Sequence, residues 1–263
     1  MHPMSGLGAL IDSVPLWAVP PVLVALYFLA CEAGYRLHGW LGRRHARDTD
    51  SAEEGQVLST ALLLLALLLG FTFSMALERY DERRQLVVQE ANDIGTAWLR
   101  AGLTDNAAGT ALQGELLAYA RLRIGSPEPD DVARLAAGAT ARNRIWDLTR
   151  AATQPDRSTA QATSLVQAVN AVLDTATTRE RAVAARVPPE VLALLILYSV
   201  VACFLLGYVL ESHGHRHRLA SGILFVLLSL TMLLILDLDQ PRDGAIQVDQ
   251  QAIIDLVKGL EAP

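Results

Sequence analysis

Four apolar segments of membrane-spanning length constrain this chain more than any other feature: Val14 to Ala30, Val57 to Leu77, Val191 to Leu210 and Leu219 to Leu236. At about 1.5 Å of rise per helical residue each covers roughly the 30 Å hydrocarbon core of a bilayer. None contains a charged residue within those limits. The expected fold class is all-α: a polytopic membrane protein with four transmembrane helices and an extramembrane helical bundle formed partly by extensions of the second and third spans. Hydrophobic residues make up 52% of the 263 and charged residues 19%, and mean hydropathy is +0.29, in keeping with spans rather than a soluble core.

Before and after the first span there is neither a basic leader nor an Ala-x-Ala cleavage site, and Glu32, Tyr35 and Arg36 follow it, so it reads as a retained helix. The two cysteines, Cys31 and Cys203, lie in or beside spans, which excludes a disulfide-built exterior and a Cys-based zinc site. A net charge of -6, without a basic stripe interleaved with aromatics, argues against nucleic acid. No nucleophile elbow, HExxH, Walker loop or dinucleotide fingerprint occurs, so neither an enzyme nor a cofactor is expected.

Arg36, Arg43, Arg44 and Arg47 lie between the first two spans, and Arg216 and Arg218 between the last two. By the positive-inside rule both short loops are cytoplasmic, which puts the termini and the helical domain on the extracytoplasmic side. Arg79, Arg83, Arg84, Arg179, Arg181 and Arg186 flank the long connection and pull the other way.

The domains are expected at 1–77 (first two spans and basic loop), 78–187 (helical domain), 188–236 (last two spans) and 237–263 (acidic turn and amphipathic helix). The second helix has no proline from Glu78 to Leu103 and is predicted to run on past the bilayer, to a length of about 70 Å. Shorter helices follow, over Thr110 to Ile124, from Asp130 and Asp131 to Thr153, and over Ser158 to Val187. Pro188 and Pro189 favour a bend or a fresh helix start at the third span. Beyond the last span, Ile253, Ile254 and Val257 form the apolar face of a helix over Gln250 to Leu260.

Several polar and small residues are candidates for function. Ala66, Gly70 and Ser74 on the second span, and Ser199, Cys203 and Gly207 on the third, recur every four residues, as suits close helix packing; a pore-lining face is the alternative. Past the bilayer, Gln85, Gln89, Asn92, Thr96 and Arg100 form a polar stripe, which is either a solvated face or part of a pathway. Arg79 and Arg83 suit a positive mouth for anions if repeated around an axis, although Glu78, Asp81 and Glu82 can neutralise them. Glu32, at the end of the first span, is either a gate or proton acceptor or the partner of Arg36 at i+4. Asp237, Asp239 and Asp243 suit pairing with Arg79, Arg83 or Arg242 better than a cation site. His213, His215 and His217 alternate with arginines in what reads as a basic anchor loop rather than a metal site.

Cys31-Glu32-Ala33-Gly34-Tyr35-Arg36, Leu69-Gly70-Phe71-Thr72-Phe73-Ser74, the run from Glu90 to Arg100, and Asp237-Leu238-Asp239-Gln240-Pro241-Arg242-Asp243-Gly244 carry a family resemblance. Together they resemble the bacterial bestrophin-like membrane proteins over nearly the whole chain. The resemblance implies a bacterial plasma membrane protein related to bestrophins, which are pentameric anion channels with four spans per subunit. By that kinship the second helix lines the pore, and Phe71, Phe73, Arg79, Asn92, Thr96 and Arg100 are the positions to test. The chain lacks the long acidic Ca²⁺ clasp and the Trp-Pro motifs of true bestrophins, whose termini are cytoplasmic. The expected partners are the lipid bilayer, further copies of the chain and small anions. A non-conducting interaction or sensory protein, and a proton-coupled transporter using Glu32, are the competing readings.

Overall fold

The computed structural model describes residues 15–42, 51–125, 132–154, 159–212, 218–240 and 244–262. Arg43, Arg44, Arg47, Asp130, Asp131, His213, His215, Arg216, His217, Arg242 and Asp243 lie outside the described residues. Among those described there are eight α-helices and no strand: α1 (Val19–Gly42), α2 (Ser51–Gly102), α3 (Ala107–Arg123), α4 (Val132–Thr153), α5 (Ala160–Ala184), α6 (Pro189–Ser212), α7 (Arg218–Asp239) and α8 (Gln251–Glu261). Four stretches are long and apolar enough to cross a membrane, and they contain the four segments picked out above apart from the start of the first. Leu16–Ala18 forms a 3₁₀ turn ahead of α1.

The helices form two compact units, Met1–Glu78 with Val187–Ile246, and Arg79–Arg186 with Gln247–Pro263. In the first unit α1 packs on α6 and α7. Glycines set how closely α1 and α6 approach: a Cβ at Gly34 would run into the Phe204 carbonyl, and one at Gly207 into the Cys31 carbonyl. Backbone meets backbone at both crossings, the close approach that small residues permit between helices in lipid. Tyr27 is fully buried there, with its hydroxyl 3.0 Å from Ser199 Oγ. Because Ser199 Oγ donates to the Ile196 carbonyl at 2.8 Å, Tyr27 is the donor of that pair. Phe28 meets Phe225 of α7 edge to face, with ring centroids 5.0 Å apart.

The acidic turn after α7 folds around its own carboxylates. Asp237 accepts from the backbone N–H of Ala245 at 2.7 Å and of Ile246 at 3.0 Å, and Asp239 accepts from Val187 N–H at 2.8 Å. Asp237 thus bonds backbone donors, because the chain doubles back within hydrogen-bonding range of its carboxylate. Gly244 is required at the fold-back, since a Cβ there would strike Asp237 Oδ1. Gly244→Ala should therefore lower the thermal midpoint by an amount equivalent to about 1–3 kcal/mol, the usual cost of overpacking. Gly259→Ala, where an added Cβ meets nothing within 4 Å, is the control and should leave the midpoint unchanged or slightly raised.

The second unit is a helical bundle. Residues 87, 91, 94, 97 and 101 of α2 recur at helical spacing and are buried, packing with Leu112, Leu116 and Tyr119 of α3, Ile145 of α4 and Leu165, Val169 and Val172 of α5. Asn106 caps α3 by accepting from Gly109 N–H at 2.8 Å, while its amide donates to the Ala152 carbonyl at 2.9 Å and so ties the start of α3 to the end of α4. Ile253 and Val257 place the apolar face of α8 in the same core, against α3. The chain leaves helical geometry after Ala184 and starts α6 at Pro189, as the proline pair predicts.

Candidate functional site

The face that α2 leaves uncovered is the candidate site. In the first unit Ala66, Leu67, Gly70, Phe71, Ser74 and Glu78 are exposed, and a Cβ at Gly70 would meet nothing within 4 Å. Leu65, Thr72 and Ala76 are buried and Phe73 is half-buried. The two small-residue rows therefore differ. Ser199, Cys203 and Gly207 are buried, with Ser199 and Gly207 meeting α1, whereas Ala66, Gly70 and Ser74 stay open.

In the second unit Glu82, Gln85, Gln89, Asn92 and Thr96 follow one another at alternating steps of three and four, and all are exposed. Behind them Val87, Glu90, Ala91, Ile94 and Ala97 are buried. An open groove of about 570 Å³ runs along this side, lined by Asp81, Arg84, Gln85, Val88, Gln89, Asn92 and Asp93. Asp93 Oδ2 accepts from the Thr175 hydroxyl at 2.6 Å. The charges lining the groove are two carboxylates and one guanidinium.

The arginines expected at a mouth are not together on this surface. Arg83 is only 2% exposed, because it stands one turn before Val87 on the row that the bundle covers. Arg79 is half-buried, and Arg100 turns away from the stripe to donate from Nη1 to the Ser164 carbonyl at 2.7 Å. In the first unit Glu32 Oε1 accepts from Arg36 Nε at 2.9 Å, an exposed pair one helical turn apart and worth little to stability.

Sequence reasoning missed a buried ionic cluster in the second unit. Glu90 is fully buried and meets two buried guanidiniums: Arg179 donates from Nη1 to Oε2, and Arg123 Nε lies 2.7 Å from Oε1, close enough for an ion pair although its N–H is not aimed along that line. Arg179 Nη2 also donates to Gln250 Oε1 at 2.7 Å, and Glu180 accepts from Arg123 at 3.3 Å and from Arg142. These residues are far apart in the chain. The available signal was Glu90 itself, a charge among the apolar Val87, Ala91, Ile94 and Ala97 on one row of an amphipathic helix.

The Tyr119 hydroxyl donates to Glu90 at 3.3 Å, and burial pushes its pKa up to about 12. The folded protein therefore holds this proton more tightly than the unfolded chain, where tyrosine titrates near 10. The associated stability is complete below pH ~10 and is lost as the pH rises towards ~12. Tyr119→Phe should make the fall in thermal midpoint between those pH values shallower than in the wild type.

Among the described residues no group of three or more His, Cys, Asp or Glu side chains could hold a metal ion. The geometry is that of a helical membrane protein with one uncovered, largely polar helix face. The family model for the bestrophin-like domain matches residues 24–253. The chain belongs to the bestrophin-like family. With four helices suited to crossing a membrane, this bestrophin-like chain is a multi-pass membrane protein.

Solved structures share the fold. A bacterial bestrophin homologue from Klebsiella pneumoniae, phased with zinc, superposes with a TM-score of 0.64 at 18% identity, covering 92% of this chain and 95% of that one. Two point variants of a Klebsiella pneumoniae bestrophin homologue give TM-scores of 0.66 and 0.67 at 17% and 16% identity, each covering 91% of this chain and 96% of the other. No curated protein matches the sequence.

Proposed function

We propose that this bestrophin-like chain is one subunit of an oligomeric ion channel whose pathway is lined by the open face of α2. The observation that carries the reading is the stripe Glu82, Gln85, Gln89, Asn92 and Thr96, exposed throughout while the opposite side of the helix is packed. Alternating steps of three and four keep one helix face towards a common axis when several helices pack around it. Amide and hydroxyl groups on that face offer replaceable ligands to an ion that has shed part of its hydration shell, without binding it so tightly that it stays.

Counted back along the same helix by steps of three and four, the repeat meets Glu78, Ser74 and Phe71. Phe71 is 64% exposed in the single chain, and a ring of such side chains makes an apolar constriction of the kind that gates by dewetting. Within the proposed pathway Gly70 and Ser74 let neighbouring second helices approach closely around Phe71.

Kinship with bestrophins implies anions, but the charges on this face favour cations. Glu78 and Glu82 stand on the stripe itself, with Asp81 and the exposed Arg84 beside it, whereas Arg83 is buried and Arg100 is tied to Ser164. Rings of carboxylates around an axis raise the local concentration of cations and repel anions. Purified full-length chain in liposomes should pass K⁺ in preference to Cl⁻, read from the reversal potential in a salt gradient. A correctly folded preparation without conductance would overturn the channel reading, and a Cl⁻-selective one would overturn the charge argument alone.

A further inference from the structure

In the first unit a second cavity, also of about 570 Å³, opens between α1, α6 and α7. Its two ends differ. Phe28 and Leu29 of α1 and Phe225 of α7 give an apolar end, and Phe28 and Phe225 are in edge-to-face contact there. One to two turns further along α1 the lining becomes Glu32 and Tyr35, and one to two turns back along α7 it becomes Ser221 and Arg218. Polar groups from both helices therefore gather at the end where α7 begins, the end of a membrane span, where headgroups lie.

The charges at that mouth are of both signs. Arg218 is exposed and has no ion-pair partner among the described residues. Glu32 takes Arg36 Nε on Oε1 and its side chain remains 40% exposed. A cleft with an apolar floor and a guanidinium at headgroup depth fits an amphiphile that carries a phosphate at the foot of an acyl chain. The nearby carboxylate adds a preference: it repels a head that is only anionic and accepts hydrogen bonds from a primary ammonium. The volume lies within the ~300–1,000 Å³ range of sites that enclose a ligand of drug-like size, enough for part of one lipid chain.

We propose that this cleft is a binding site for a zwitterionic phospholipid with a primary ammonium head, phosphatidylethanolamine, whose phosphate pairs with Arg218 and whose ammonium pairs with Glu32. The acyl chain then runs between Phe28, Leu29 and Phe225. The site does not depend on ion conduction and stands or falls separately from it.

Native mass spectrometry of delipidated full-length protein tests the assignment. The protein is titrated with phosphatidylethanolamine, phosphatidylglycerol and phosphatidylcholine of identical acyl chains. Phosphatidylethanolamine should bind with the highest affinity of the three. Glu32→Gln should weaken it by roughly ten-fold, the scale of one lost charge-assisted contact, while binding of phosphatidylcholine changes less, and Arg218→Gln should weaken both lipids to that extent, because both carry the phosphate. The comparison among lipids needs no variant and so survives a misfolded one. Equal binding of all three lipids would make the cleft an ordinary patch of bilayer-facing surface and overturn the proposal. A preference for phosphatidylglycerol, or binding indifferent to both substitutions, would overturn it too.

Discussion

Glu90→Gln is expected to cost about 3–5 kcal/mol and to lower the thermal midpoint of the helical unit more than any other single polar substitution in it. Glu90 meets both Arg123 and Arg179, and all three side chains are at most 3% exposed. Burial alone pulls both guanidiniums down from their ordinary pKa. For Arg123 the Glu90 and Glu180 carboxylates more than offset that pull and the net shift is upward, while for Arg179 burial prevails. Neutralising Glu90 leaves both guanidiniums in the core with the pull and without its main opponent. Replacing Glu90 and Arg179 together by Leu and Met should recover part of the loss, because one uncompensated charge leaves with its partner. Thermal unfolding of the purified single and double variants checks this; a near-native midpoint for Glu90→Gln would contradict it.

The second large effect concerns the proposed pathway. Glu78→Arg combined with Glu82→Arg should invert the sign of the reversal potential in a salt gradient, changing the preference between K⁺ and Cl⁻ by about ten-fold or more. Both side chains are exposed in the single chain, so the substitutions leave the bundle core untouched and the melting curve should change little. Arg83→Gln offers a contrast. Its guanidinium is buried, so the loss should appear in stability rather than in ion preference. Selectivity that follows Arg83 and ignores Glu78 and Glu82 would mean that a different face of the helix meets the ions.

Much of this architecture is legible without coordinates, because its signals are local. Uninterrupted apolar runs give the spans, the absence of proline carries α2 past Glu78, and Pro188 and Pro189 mark a new helix. The polar stripe from Gln85 to Thr96 is equally a matter of spacing along one helix. Arg83 is harder. It differs from Arg84 only by 100° of helix rotation, and which of the two is covered depends on where the bundle packs. The bonds of Asp237 are hidden for a related reason: a cluster of acids suggests cations or arginines, while backbone N–H donors leave no mark in a sequence. Glu90, Arg123, Arg179 and Gln250 come from three helices and the approach to a fourth, so only the tertiary fold brings them together.

Ion flux through the purified full-length chain tests the central claim most directly. With the protein reconstituted in liposomes or planar bilayers under a KCl gradient, the account predicts a conductance whose reversal potential lies towards that of K⁺. It also predicts that Gln89 and Asn92, replaced together by Leu, reduce the conductance without changing the melting curve. A folded, reconstituted protein that passes neither K⁺ nor Cl⁻ would contradict the account.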